Sequence, residues 1–109
     1  MNWTIEYLPE ALKDLTNLDG SVKPSVLKAI KKVSENPLPD SEGGYGKPLG
    51  NHSSSDLSGF MKIKLKKFGL RVVYKLIRTD TAMKIVIISA RSDDKVYTDA
   101  EKRIKKHDM

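Results

Sequence analysis

The residues of this chain best suited to chemistry are cations set at alternate positions. Lys62, Lys64 and Lys66 alternate with Met61, Ile63 and Leu65, and Arg71 follows the short break Lys67-Phe68-Gly69. Period-2 alternation marks a strand with one buried face. Residues 60–66 and 70–74 therefore read as two strands of a hairpin, with β-branched Val72 and Val73 favouring extended backbone. If Leu65 pairs with Leu70, then Ile63 faces Val72 and Met61 faces Tyr74 on an apolar side. The same register sets Lys64 opposite Arg71 on the other side, with Lys62 next along. Like charges directly opposed across strands are destabilising, and a one-residue slip would exchange the two faces. A sheet face that retains such a cluster suits an anion; the plain alternative is an ordinary solvated face. One more cation, Arg91, stands where a third strand ends, and Tyr97 follows six residues later. Fixed cations stabilise a phosphate that gains charge on the way to a pentacoordinate transition state. The rest of the inventory offers little else. His52 and His107 are isolated in sequence, the acids are scattered and cysteine is absent. We therefore expect no metal and no cofactor.

Composition supports a polyanionic partner. Residues 1–59 carry six lysines against eight acids, whereas residues 60–109 carry fourteen Lys and Arg against six acids, so a net charge of +6 sits almost wholly in the second half. That asymmetry points to nucleic acid before membrane. The 109 residues suit one domain, spanning 1–109, with a modest core. No apolar run approaches the roughly 20 residues of a membrane span, and the opening lacks the basic and apolar regions of a signal peptide. With no cysteine, a cytoplasmic setting is expected.

The elements that must position the cations can be read in order. Residues 3–8 form a first strand, and Pro9 opens a helix whose apolar stripe is Ala11, Leu12, Leu15 and Leu18. After Asp19-Gly20, Ser21 is the expected N-cap of a second helix carrying Val22, Val26, Leu27, Ile30 and Val33, closed by Asn36-Pro37. Residues 37–58, rich in Pro, Gly and Ser, read as a long loop. Its Gly44-Tyr45-Gly46-Lys47 is no phosphate loop, because Pro48 stands where Ser or Thr is required. Its His52 beside Ser53, Ser54 and Ser55 reads as a polar loop tip rather than a nucleophile. After the hairpin, residues 83–90 are nearly continuously apolar, as in a strand buried on both faces. Asp93 or Asp94 would cap a last helix through Val96, Tyr97, Ala100 and Ile104, with Lys102, Arg103, Lys105 and Lys106 at its far end. The order β-α-α-β-β-β-α predicts an α+β fold, a small mainly antiparallel sheet packed on an N-terminal helical hairpin with a C-terminal helix. The first strand would join the sheet at an edge or beside the last strand.

Several of these segments resemble the RelE branch of the RelE/ParE toxin superfamily. They are Pro9-Glu10-Ala11-Leu12-Lys13-Asp14-Leu15, Lys47-Pro48-Leu49-Gly50, Met61 to Leu65, Gly69-Leu70-Arg71-Val72-Val73-Tyr74, Ile88-Ser89-Ala90-Arg91 and Val96-Tyr97 with Glu101-Lys102-Arg103-Ile104. The resemblance implies the toxin of a type II toxin–antitoxin system, a metal-independent endoribonuclease that cleaves mRNA in the ribosomal decoding site and is silenced by a cognate antitoxin. It implies phosphate stabilisation by Lys62, Lys64 and Arg71, an acid or charge-stabilising role for Arg91, and a base or base-stacking role for Tyr97. Asp93 and Asp94 fall where many relatives carry the Arg closer to the Tyr, and the Gly/Ser-rich loop is longer than theirs. Two other functions stay open: a ParE-like topoisomerase inhibitor on the same fold, and a non-catalytic RNA-binding module. The first has no need of a phosphate-centred cluster. The second would stack bases on aromatics, of which the basic half has Phe60, Phe68, Tyr74 and Tyr97.

Overall fold

The computed structural model describes residues 3–52, 55–90 and 93–109; for 50–52, 55–58 and 93–94 the backbone alone is described. The chain runs β1 (Thr4–Tyr7), α1 (Pro9–Thr16), α2 (Lys23–Ser34), β2 (Lys47–His52), β3 (Ser55–Leu65), β4 (Leu70–Ile77), β5 (Ala82–Ser89) and α3 (Asp93–Lys106). The class is α+β as expected, and the sheet order is β1-β5-β4-β3-β2.

The hairpin register is the one the alternation predicts. Leu65 pairs with Leu70, Lys64 with Arg71, Ile63 with Val72 and Met61 with Tyr74. A short 3-10 turn, Lys66–Phe68, joins the two strands, and Gly69 closes it at φ 65, in the left-handed region where a side chain would be strained. β5 is a buried interior strand between β1 and β4: Ala82, Met83, Ile85 and Val86 have no solvent exposure. β1 lies at the sheet edge parallel to β5, pairing Thr4 with Ala82 through Tyr7 with Ile85. Such a parallel pair needs a long crossover, and here the crossover comprises everything from α1 to β4.

Two expectations are corrected. Residues 37–58 are not a loop throughout: β2 lies within them, and β3 begins at Ser55 rather than near residue 60. Pro48 and Gly50 hide β2 from any propensity argument, and its register shifts between those two residues. Ser21 is not a helix N-cap either. The cap position of α2 is Val22, while the Ser21 N–H and Oγ both donate to Asp19 Oδ1 at 2.9 and 2.8 Å. Those bonds hold the Asp19 carboxyl below its usual range.

Both faces of the sheet are covered. On one, Met61, Val72, Tyr74 and Ile85 are buried, and the Tyr74 hydroxyl donates to the Pro37 carbonyl at 2.9 Å, tying the exit of α2 to the sheet. On the other, Phe60, Val73 and Ile87 are buried where α3 lies against β3 and β5.

Candidate active site

The ladder turns the sequence pattern into a surface. Directly opposed residues share a face, so the face of Lys64 carries Arg71 and, beyond it on β5, Ser89. The next row on the same face holds Lys62, Val73 and Ile87, and the one after it holds Phe60, Lys75 and Lys84. Lys64 is exposed, whereas Lys62 and Arg71 are half-buried. Lys64, Lys66 and Arg71 line a cleft of about 180 Å³ with Leu65, Gly69 and Leu70 at the turn. Lys75 and Lys84 belong to the same face but are engaged otherwise. Lys75 Nζ stands 5.6 Å from the centre of the Phe60 ring, and Lys84 Nζ lies 3.9 Å from Glu6 Oε1. The arrangement can hold and stabilise an oxyanion between Lys64, Arg71 and Lys62, on β-ladder positions that move little.

Tyr97 projects from α3 and is only 3 % exposed, packed into the hydrophobic core with Val96, Ala100 and Ile104. Helical periodicity places it on the side of α3 that faces the sheet, with the apolar residues of the same helix. Arg91 lies outside the described residues. Among the described residues, no group of three or more His, Cys, Asp or Glu is placed to hold a metal ion.

No protein-family model matches the sequence. The mRNA interferase toxin RelE of Escherichia coli K12 is 27 % identical over 104 residues, covering 95 % of this chain and 99 % of that protein. In structure, a double-arginine mutant of the E. coli RelE toxin in its free state superposes with a TM-score of 0.73 at 25 % identity, covering 95 % of this chain and 99 % of that one. The chain is thus similar to RelE toxins in sequence and in fold. The toxin–antitoxin complex RelBE2 of Mycobacterium tuberculosis shares the fold, with a TM-score of 0.66 at 23 % identity over 84 % of this chain and 100 % of that one.

In this chain, α3 is fastened to α1 over the free edge of β5. β1 ends at Tyr7, opposite Ile85, leaving later β5 backbone groups without a strand partner on that side. Side chains take its place. Asp14 Oδ2 accepts the Ile88 N–H at 3.1 Å, and Arg103 Nη1 donates to the Val86 carbonyl at 3.0 Å and to Asp14 Oδ2 at 2.6 Å. One turn away, Glu10 accepts from Lys106 at 3.0 Å and bonds His107 Nε2 at 2.8 Å. His107, isolated in the sequence, thus has a partner.

The Glu10 fastening carries a pH signature. The hydrogen bond from Lys106, then that from Glu10's own backbone, then that from His107 lower the Glu10 carboxyl from 4.5 to about 2. A depressed folded-state value means the contribution is fully present above the unfolded value and is lost as pH falls through the folded one. Between about pH 4.5 and 2 the wild type therefore loses stability that Glu10→Gln does not lose. Thermal unfolding across that window checks this: the melting curve of the variant should be the flatter with pH. Identical pH dependence would show that the Glu10 contacts do not hold α3.

Proposed function

We propose that this chain is the toxin of a type II toxin–antitoxin pair and that it acts as an endoribonuclease on mRNA in the ribosomal decoding site. The observation that carries the reading is the row of like charges, Lys64 opposite Arg71 with Lys62 two residues along, kept on one sheet face despite its cost. A relative of nearly equal length bears the name mRNA interferase, which supports the choice of substrate. The partners are a cognate antitoxin, in keeping with the toxin–antitoxin complex that shares this fold, and the ribosome with its message. Among the described residues, no helix is long and apolar enough to cross a membrane.

In the proposed reaction a ribose 2′-oxygen attacks the adjoining phosphorus and the bond to the 5′-oxygen of the next nucleotide breaks. The products are a 2′,3′-cyclic phosphate and a free 5′-hydroxyl, the leaving oxygen taking its proton from solvent water. Lys62, Lys64 and Arg71 stabilise the charge that accumulates on the phosphoryl oxygens. Arg91 adds to that stabilisation rather than acting as an acid, since a guanidinium with a pKa above about 12 is a poor proton donor. Tyr97 takes the 2′-proton or stacks on a base; it is 3 % exposed, so either role requires its ring to be uncovered. Phenol has a reference pKa of about 10, so it is a weak base catalyst near neutrality. The site is modest in acid–base terms, and substrate held by the ribosome supplies positioning that can be worth roughly 7–11 kcal/mol.

The reading has a direct cellular consequence. Expressed without a partner, the chain should halt growth through translation. In pulse labelling, incorporation of amino acids should fall before that of thymidine. Thymidine falling first would instead identify a topoisomerase inhibitor.

A further inference from the structure

The cationic face does not end at β3. β2 runs along the far side of that strand, and Lys47 is the partner of Lys62, while the next pair is Pro48 with Met61. Met61 is buried, which sets the parity: Lys47 projects from the face of Lys62, Lys64 and Arg71. Lys47 is exposed. The face therefore carries two opposed pairs of like charge in succession, Lys64 with Arg71 and Lys62 with Lys47. Like charges directly opposed across strands are unfavourable as pairs. Two residues along β3 separate the rows by about 7 Å, comparable with the distance between consecutive phosphates of an extended RNA strand. Immediately after Lys47, the β2–β3 register shifts between Pro48 and Gly50. Such irregularities re-aim side chains and are frequent beside active sites.

We propose that Lys47 forms an adjoining phosphate subsite, binding the phosphodiester next to the scissile one on the same RNA strand. The proposal rests on the nuclease reading and deepens it: the enzyme grips two consecutive phosphates, the scissile one with Lys62, Lys64 and Arg71 and its neighbour with Lys47, which stands beside Lys62 at the edge of the same face. A lysine on an edge strand also deters pairing with other chains, and that lesser role makes a different prediction.

The test uses ribosomes programmed with a message that carries a 2′-deoxynucleotide at the cut position, so that binding is read without cleavage. In parallel messages, a neutral methylphosphonate replaces the phosphodiester on one or the other side of the scissile one. Lys47→Ala should weaken binding to the charged message by about 3–10-fold, the loss of one exposed charge-assisted contact. One of the two methylphosphonates should cost the wild type the same factor and cost Lys47→Ala nothing more. Lys47→Arg should restore both affinity and sensitivity. On an all-ribose message at saturating protein, the single-turnover rate of Lys47→Ala should equal that of wild type.

Additive losses would place the Lys47 contact off the message and overturn the proposal. So would unchanged affinity with increased aggregation, which is the edge-strand role alone, or a fallen saturated rate, which puts Lys47 on the scissile phosphate. A wild type that fails to bind programmed ribosomes also overturns it. A wild type that binds but leaves the all-ribose message whole refutes the nuclease, while the methylphosphonate coupling still decides the subsite.

Discussion

Replacing Arg71 by alanine should slow single-turnover cleavage on programmed ribosomes by roughly 10²–10³-fold, the usual loss when one fixed donor to a developing oxyanion is removed. Arg71 sits opposite Lys64 on β4, half-buried, with β3 and β5 on either side. A guanidinium anchored there presents its charge without reorganising as the phosphate gains charge. An ammonium on a flexible stem does this less well, so Arg71→Lys should recover part of the rate and not all of it. Lys67→Ala is the control, since Lys67 is an exposed cation on the turn and lies outside the proposed site. Single-turnover measurement separates chemistry from binding, and Lys67→Ala should change binding at most. Tyr97→Phe belongs in the same series. It keeps the buried ring and removes the hydroxyl, so a slow Phe variant identifies Tyr97 as the base and a fast one identifies stacking. Arg71→Ala cutting as fast as Lys67→Ala would make the lysine face an ordinary basic surface.

The largest structural effect is expected at Gly46. A Cβ built there would lie 2.5 Å from the Tyr74 hydroxyl, 2.7 Å from Met61 Sδ and 2.9 Å from the Pro37 carbonyl oxygen. The first and last of these atoms are the two ends of the buried 2.9 Å hydrogen bond that ties the exit of α2 to β4. Burial also pushes the Tyr74 phenol well above its ordinary value, so that it stays a donor. Gly46→Ala should therefore cost about 1–3 kcal/mol of overpacking, with about 1 kcal/mol more if the bond parts. At roughly 4–8 °C per kcal/mol for a domain of this size, the melting temperature should drop by 5 °C or more. Tyr74→Phe removes the oxygen that the new methyl strikes, so the double variant should lose less than the sum of the singles. A melting temperature for Gly46→Ala equal to wild type would mean that the 37–46 segment does not sit against the sheet as described. Lys47 follows Gly46 directly, so the same variant should disturb the start of β2.

Local pattern decided more of this protein than its length of unpatterned loop suggests. Met61, Ile63 and Leu65 against Lys62 and Lys64 specify which side of β3 is buried, and the short turn closing on Gly69 leaves one register in which Leu65 meets Leu70. Strict alternation makes any slip expose the apolar set. The same reasoning found β5 from its nearly continuous apolar run and the start of α1 at Pro9. Contacts between distant segments carry no such local mark. β2 is a strand because β3 offers it a ladder, and Pro48 and Gly50 argue against it on their own. Lys47 joins the cation face only through that pairing. Asp14 meets Arg103 because β1 stops short and leaves backbone groups of β5 to be satisfied by side chains 89 residues apart. Tyr97 was legible as a residue with chemistry, yet its cover was not. The burial of Val96, Ala100 and Ile104 against the sheet draws Tyr97 in with them. Sequence alone determined which side chains point together along a strand or helix. The tertiary structure decided which of those faces meet, because that depends on loop closure and on how buried backbone groups are satisfied across the whole chain.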